Sequence, residues 1–257
     1  MVETGDTRVQ LVIDGDVAII TLAQPEKLNA LDMPMILALE RAAHIIDADS
    51  AIKAAIITGQ GERSFCAGGD IGAWSAEVAE NFGLQWVRIG HRAFDALARL
   101  RVPLIAALNG SVMGGGLELA TCADFRIAEE HVKFSLPETG LGIIPGWSGT
   151  QRAVQRFGAQ LVRRMSVAGE SFTADEALRL GLCDKIGAKG QSLAAAHEMA
   201  ATIAKRSALA TAAAKMMINA AEGEDAPRAI EALGGIAAAH SVELKAGLAA
   251  FSARKKN

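Results

Sequence analysis

Two glycine-rich turns and two glutamates are the residues of this chain whose types and spacing could carry chemistry. The first turn runs Ser64-Phe65-Cys66-Ala67-Gly68-Gly69-Asp70-Ile71, and the second Asn109-Gly110-Ser111-Val112-Met113-Gly114-Gly115-Gly116-Leu117-Glu118. Glycine lets a backbone approach a ligand and take positive φ. In the second turn the glycines open a helix, and the first N–H groups of a helix have no internal acceptor and carry partial positive charge. Donors from two such turns facing one cavity would make an oxyanion hole. The same glycines would equally serve close packing alone.

Glu118 sits one turn into an apolar helix, Leu117-Glu118-Leu119-Ala120. A carboxylate there is costly unless exposed, paired or functional. Glu138 follows 20 residues on, in Leu136-Pro137-Glu138-Thr139-Gly140. Taken alone it reads as a loop-surface residue. Beside one oxyanion hole, two carboxylates can divide acid and base work.

Other chemistries lack their residues. Gly146-Trp147-Ser148-Gly149 is one residue short of a nucleophile elbow, and Ser111 does not supply one. The phosphate-cradling GxxxxGK[ST] is absent, and Gly114-x-Gly116 and Gly140-x-Gly142 lack the third glycine of a dinucleotide site. The five histidines show no ligand spacing, and His44, His197 and His240 read as helix-surface positions. Cys66, Cys122 and Cys183 are odd in number and far apart, so neither a disulfide framework nor a metal is expected, and the compartment reads as reducing. Tyrosine is absent, which removes mechanisms that need a phenol. The net charge of −3 offers no general basic field for nucleic acid. Met1–Gln10 does not read as a secretory signal, and no run of 18 apolar residues occurs, so no membrane partner is expected.

The elements that must position these groups can be traced along the chain. At 257 residues, it fits one large domain or a core with an appendage. Arg8–Ile13 and Val17–Leu22 alternate around Asp14-Gly15-Asp16, a hairpin pattern. Asp32, with Pro34 in the first turn, starts a helix carrying Met35, Leu39, Ala42, Ala43 and Ile46. Ala54–Thr58, Val102–Leu108, Asp124–Ala128 and Lys133–Ser135 read as strands, and Cys183–Ile186 as a brief one. Trp74–Leu100 is helical in pattern, with breaks expected near Gly83 and Gly90. Pro137–Gly149 is a shaped loop, Thr150–Arg156 restarts a helix, and alanine-rich helices follow from Ala159.

The whole chain resembles the enoyl-CoA hydratases of the crotonase (hydratase/isomerase) superfamily. The resemblance is carried by Pro25–Leu31, Ser64–Ile71, Asn109–Leu119, Phe134–Gly142, Ile144–Arg152, Leu178–Cys183 and Lys245–Phe251. It implies an α/β fold, a crotonase-like right-handed spiral of ββα turns with a helical C-terminal trimerisation region. The expected division is a spiral core over 1–200 with the CoA-ester site, and a helical oligomerisation region over 201–257. It further implies that Gly69 and Gly115 hold the thioester oxygen, that Glu118 and Glu138 are the catalytic pair, and that Gly146 helps hold the reacting water. The Ala67, Gly68, Gly69, Asp70 and Ile71 backbone falls where the family seats adenine and pantetheine, with Lys27 and Leu28 in the same groove and Arg254 near the nucleotide phosphates. No metal and no separate cofactor are implied, since CoA arrives with the substrate. A cytoplasmic homotrimer or dimer of trimers is the implied assembly.

Keeping both glutamates favours hydration over double-bond shifting, for which relatives often rely on the second glutamate alone. The rivals are a Δ3-Δ2-enoyl-CoA isomerase and a non-catalytic acyl-CoA-binding homologue. The chain also departs from the family pattern. Trp147 stands where a small residue is usual, either reshaping the acyl pocket or packing away from it. Gly72 replaces a common lysine near the CoA phosphates, and Ala246 a commonly acidic residue. Trp74, Phe82 and Trp86 fall in the variable region that shapes the acyl tunnel in relatives, so acyl length is not readable.

Overall fold

Gly15, at φ 59°, closes the turn between β1 (Val9–Asp14) and β2 (Val17–Leu22), an antiparallel hairpin in full register from Val9 opposite Leu22 to Asp14 opposite Val17. The hairpin is tied to the next element by Arg8, whose guanidinium pairs with Asp32 at 2.6 Å. Asp32 in turn caps α1 (Met33–Ala48), its side chain accepting from the Met35 amide at 3.1 Å. The computed structural model describes residues 1–75, 78–242, 244 and 246.

Three successive strand pairs then build the body. They are β3 (Ala54–Gly59) with β4 (Ser64–Cys66), β5 (Leu104–Leu108) with β6 (Ser111–Met113), and β7 (Phe125–Glu129) with β8 (Lys133–Ser135). The first strand of each pair joins one sheet, ordered β1-β2-β3-β5-β7-β10, and the second joins another, ordered β4-β6-β8-β9. Each pair therefore adds a parallel strand to both sheets, and the chain advances as a spiral. Helices α2 (Ile71–Trp74), α3 (Ala79–Asn81) and α4 (Arg88–Ala98) follow the first pair, with a π-helical stretch over Phe82–Val87, and α5 (Gly115–Ala120) follows the second. Then come α6 (Arg152–Phe157), α7 (Ala159–Ser166), β9 (Phe172–Thr173), α8 (Ala174–Leu180), β10 (Lys185–Gly187), α9 (Ser192–Ala204), α10 (Ala208–Ala221) and α11 (Ala226–Ala239).

The larger sheet is covered on both faces, which is why its parallel strands read as continuous apolar runs. Along β3, Ala55 and Ile57 enter the core shared with α1 and α4, whereas Ala54 and Ile56 meet Ala195, Ala196 and Ala200 of α9. On α10 and α11, Leu209, Met217, Ile218 and Ile230 stay exposed. None of the helices among the described residues is long and apolar enough to cross a membrane.

The expected hairpin, cap and four long-range strands are present. Two readings are corrected. Gly90 does not break the helix; it lies buried inside α4, where it admits a side chain from elsewhere. Strands β4, β6 and β9, of three, three and two residues, are additions to the expected strands, because segments so short show no alternation of their own. Arg254 lies outside the described residues, as does most of Lys245–Phe251.

Candidate active site

Strands β4, β6 and β8 are parallel neighbours, so their carboxyl ends open on one side. Each end delivers a candidate group: Gly68-Gly69 after β4, Gly114-Gly115 after β6, and Pro137-Glu138 after β8. The edge outside the carboxyl ends of parallel strands is a recurrent place for ligands. The Gly114 amide donates to Ser135 O at 3.0 Å, locking the second turn to the third.

The glycines are required where the turns meet. Gly68 and Gly114 adopt φ 97° and 53°. A β-carbon built on Gly68 would lie 3.0 Å from the Gly115 nitrogen, and one on Gly116 would lie 2.0 Å from Cys66 O. The N–H groups of Gly69 and Gly115 donate to no acceptor among the described residues. Both residues line a cavity of about 90 Å³ together with Glu118, Glu138, Gly146 and Trp147.

Glu118 projects from α5 and is 2% exposed. Its Oε1 accepts from the amides of Trp147 and Gly149, each at 2.7 Å. Glu138 is 8% exposed, and its Oε1 would be 2.8 Å from a β-carbon on Gly114, so the carboxyl lies against the second turn. Its Oε2 is buried without a hydrogen-bond partner. Burial pushes the Glu118 carboxyl up to about 8, reinforced by the nearby Glu138, while the two amides and Arg152 pull the other way. Burial likewise pushes Glu138 up to about 7. Two carboxyls this coupled titrate as a pair, so neither apparent value belongs to one residue alone. The amide donors on Glu118 Oε1 offset part of its desolvation, whereas Glu138 Oε2 has no donor to offset its own.

The loop carrying these amides contains residues that sequence reasoning missed. Ser148 stands at φ 80° between Trp147 and Gly149. Its Oγ is 3.0 Å from Nδ1 of the half-buried His91 on α4. These partners are 57 residues apart, and no local pattern announces the pair. The Trp147 side chain turns inward and is 3% exposed, which resolves its two readings in favour of the pocket.

Of the remaining expected residues, Ala67, Gly68 and Ile71 line the cavity, whereas Lys27, Leu28 and Asp70 flank it. The Ala67 amide donates to Leu28 O at 3.1 Å, and Lys27 pairs with Asp70 at 2.7 Å. Leu31 N donates to Gly68 O and Asp70 N to Leu31 O, both at 2.7 Å, so the 25–31 segment straps the first turn. No group of three or more His, Cys, Asp or Glu among the described residues is arranged to hold a metal.

A model of the enoyl-CoA hydratase/isomerase family matches residues 13–257. The chain belongs to the enoyl-CoA hydratase/isomerase family. It is 37% identical over 206 residues to a short-chain-enoyl-CoA hydratase of Clostridium acetobutylicum, covering 80% of this chain and 78% of the relative. It is 35% identical over 244 residues to a crotonyl-CoA hydratase of Syntrophomonas wolfei, covering 93% and 92%. The solved structure of Pseudomonas aeruginosa DspI superposes with a TM-score of 0.83 at 30% identity, over 97% of this chain and 95% of that one. The spiral of strand pairs is thus the fold of this hydratase/isomerase family.

Proposed function

We propose that this protein is an enoyl-CoA hydratase, adding water across the 2,3 double bond of an α,β-unsaturated acyl-CoA. The observation that carries the reading is the meeting of two buried carboxyls, Glu118 and Glu138, with two unpartnered amides, Gly69 and Gly115, around one cavity. Hydratase relatives at 35–37% identity support it.

The substrate's thioester oxygen accepts from the Gly69 and Gly115 amides. Ionised Glu118, held by the Trp147 and Gly149 amides, takes a proton from water as its oxygen bonds to C3. The double-bond electrons move onto the thioester as an enolate, whose charge the two amides stabilise. One such donor is typically worth about 2.7–4 kcal/mol. Glu138 then gives its proton to C2, and exchange with solvent resets the pair. Gly146, which lines the cavity, helps hold the reacting water. The pantetheine and nucleotide follow the Ala67–Ile71 backbone, with Lys27 and Leu28 along their path. Coenzyme A leaves with the product and no further cofactor takes part.

The exposed apolar positions of α10 and α11 support assembly through the 201–257 region as a trimer or a dimer of trimers. Three buried free cysteines support a reducing, cytoplasmic setting. Absorbance of the conjugated thioester tests the reaction. Loss of absorbance from crotonyl-CoA supports hydration. A gain from a 3-enoyl-CoA with no loss from crotonyl-CoA makes the protein an isomerase, and no change with either, despite binding, makes it a binder.

A further inference from the structure

The indole of Trp147 sits in a socket made for it. Its Nε1 donates to Trp86 O at 3.3 Å, and its ring centroid is 5.3 Å from that of Trp86 and 5.2 Å from that of Phe94, edge-on. A β-carbon on Gly90 would fall 2.0 Å from Nε1, so only glycine at that point of α4 admits the ring. The opposite edge meets the donor turns. A β-carbon on Gly115 would be 2.7 Å from Cζ3, and one on Gly69 would be 3.3 Å from Cη2. A ring packed on all these sides has no room to swing. The cavity beside it, about 90 Å³, is well below the roughly 300–1,000 Å³ of pockets that enclose a drug-sized ligand.

We propose that Trp147, locked by the Gly90 notch, is the wall that sets specificity and restricts this enzyme to thioesters with short acyl chains. The inference deepens the hydratase reading and rests on it. With the thioester oxygen on Gly69 and Gly115, C3 must lie within reach of the water held at Glu118. Glu118 Oε1 is itself held by the Trp147 amide at 2.7 Å. The acyl chain beyond C3 therefore starts beside Trp147, and each added methylene presses on a ring that cannot yield.

The test uses two readouts on the full chain. Calorimetry measures binding of butyryl-, hexanoyl-, octanoyl- and decanoyl-CoA, which cannot react, and absorbance follows hydration of the matching 2-enoyl thioesters. Wild type should bind butyryl-CoA at least ~10-fold more tightly than octanoyl-CoA, the low end of what a rigid apolar pocket achieves over a single methylene. Trp147→Leu, which keeps part of the buried volume, should shift that ratio by about 10-fold towards the longer chain. Gly90→Ala should drive the indole into the cavity and weaken butyryl-CoA as well. Equal wild-type affinity for both lengths, or a folded Trp147→Leu protein with an unchanged ratio, overturns the proposal. A length limit in binding with no hydration of any 2-enoyl-CoA supports the wall and refutes the hydratase reading.

Discussion

His91 Nδ1 lies 3.0 Å from Ser148 Oγ, and Ser148 is the left-handed residue between the two amides that hold Glu118. A serine held at positive φ costs of order 1–3 kcal/mol, so such a residue persists only where its surroundings fix it. Burial holds the His91 imidazole below its usual pKa, which keeps the ring neutral near pH 7. A neutral ring has one donor and one acceptor nitrogen, and the Ser148 hydroxyl can pair with Nδ1 in either tautomer. The contact connects α4 to the loop that orients the Glu118 carboxylate.

His91→Ala should therefore lower kcat by about 10–100-fold with little change in KM, because it loosens a catalytic group without touching the substrate. His91→Asn, which keeps a polar partner for Ser148, should recover part of the loss. Ser148→Gly, which keeps the positive φ at no steric cost but removes the hydroxyl that meets His91, should lose about as much kcat as His91→Ala. Steady-state kinetics of the three variants check this; unchanged kcat in His91→Ala would remove the positioning role.

The pH profile of kcat/KM should be bell-shaped, with both limbs well above the ordinary carboxylate range. Burial lifts Glu138 to about 7 and Glu118 to about 8, and the pair must hold one proton to act as acid and base. The apparent values belong to the pair. Glu138 raises its neighbour, so Glu138→Gln should lower the remaining titration of Glu118. A pH titration of both proteins by carbon-13 NMR of labelled glutamate carboxyls measures this directly.

Stability should show the same coupling. Both carboxyls are raised in the folded chain from an ordinary value of 4.5, so the folded state holds more protons than the unfolded chain from there up to about 8. Stability falls as pH rises through that window. Glu118→Gln removes the penalty while still offering an acceptor to the Trp147 and Gly149 amides. Its stability relative to wild type should rise between about pH 5 and pH 8 by on the order of 1–3 kcal/mol. Denaturant unfolding at the two pH values checks the sign; a constant difference would contradict it.

Local pattern made much of this molecule legible in its sequence. The hairpin, the Asp32 cap and the long buried strands follow from alternation, capping chemistry and apolar runs. Glu118 stood out because a carboxylate in Leu117-Glu118-Leu119-Ala120 conflicts with its surroundings. Glu138 was harder, since Leu136-Pro137-Glu138-Thr139-Gly140 reads equally as surface, and its burial comes from a non-local contact with Gly114. Periodicity has no meaning in a shaped loop, so it could not orient Trp147. Gly90 looked like a helix break for the same reason: the sequence shows a missing side chain but not the indole that fills its place.

Hydration of crotonyl-CoA by wild type, Glu118→Gln and Glu138→Gln, with butyryl-CoA binding as the control for folding, tests the convergence of two carboxyls and two amides most directly. Each variant should bind the saturated thioester within a few-fold of wild type and hydrate crotonyl-CoA about 10²–10⁴-fold more slowly. Turnover at the wild-type rate in both variants would contradict the account.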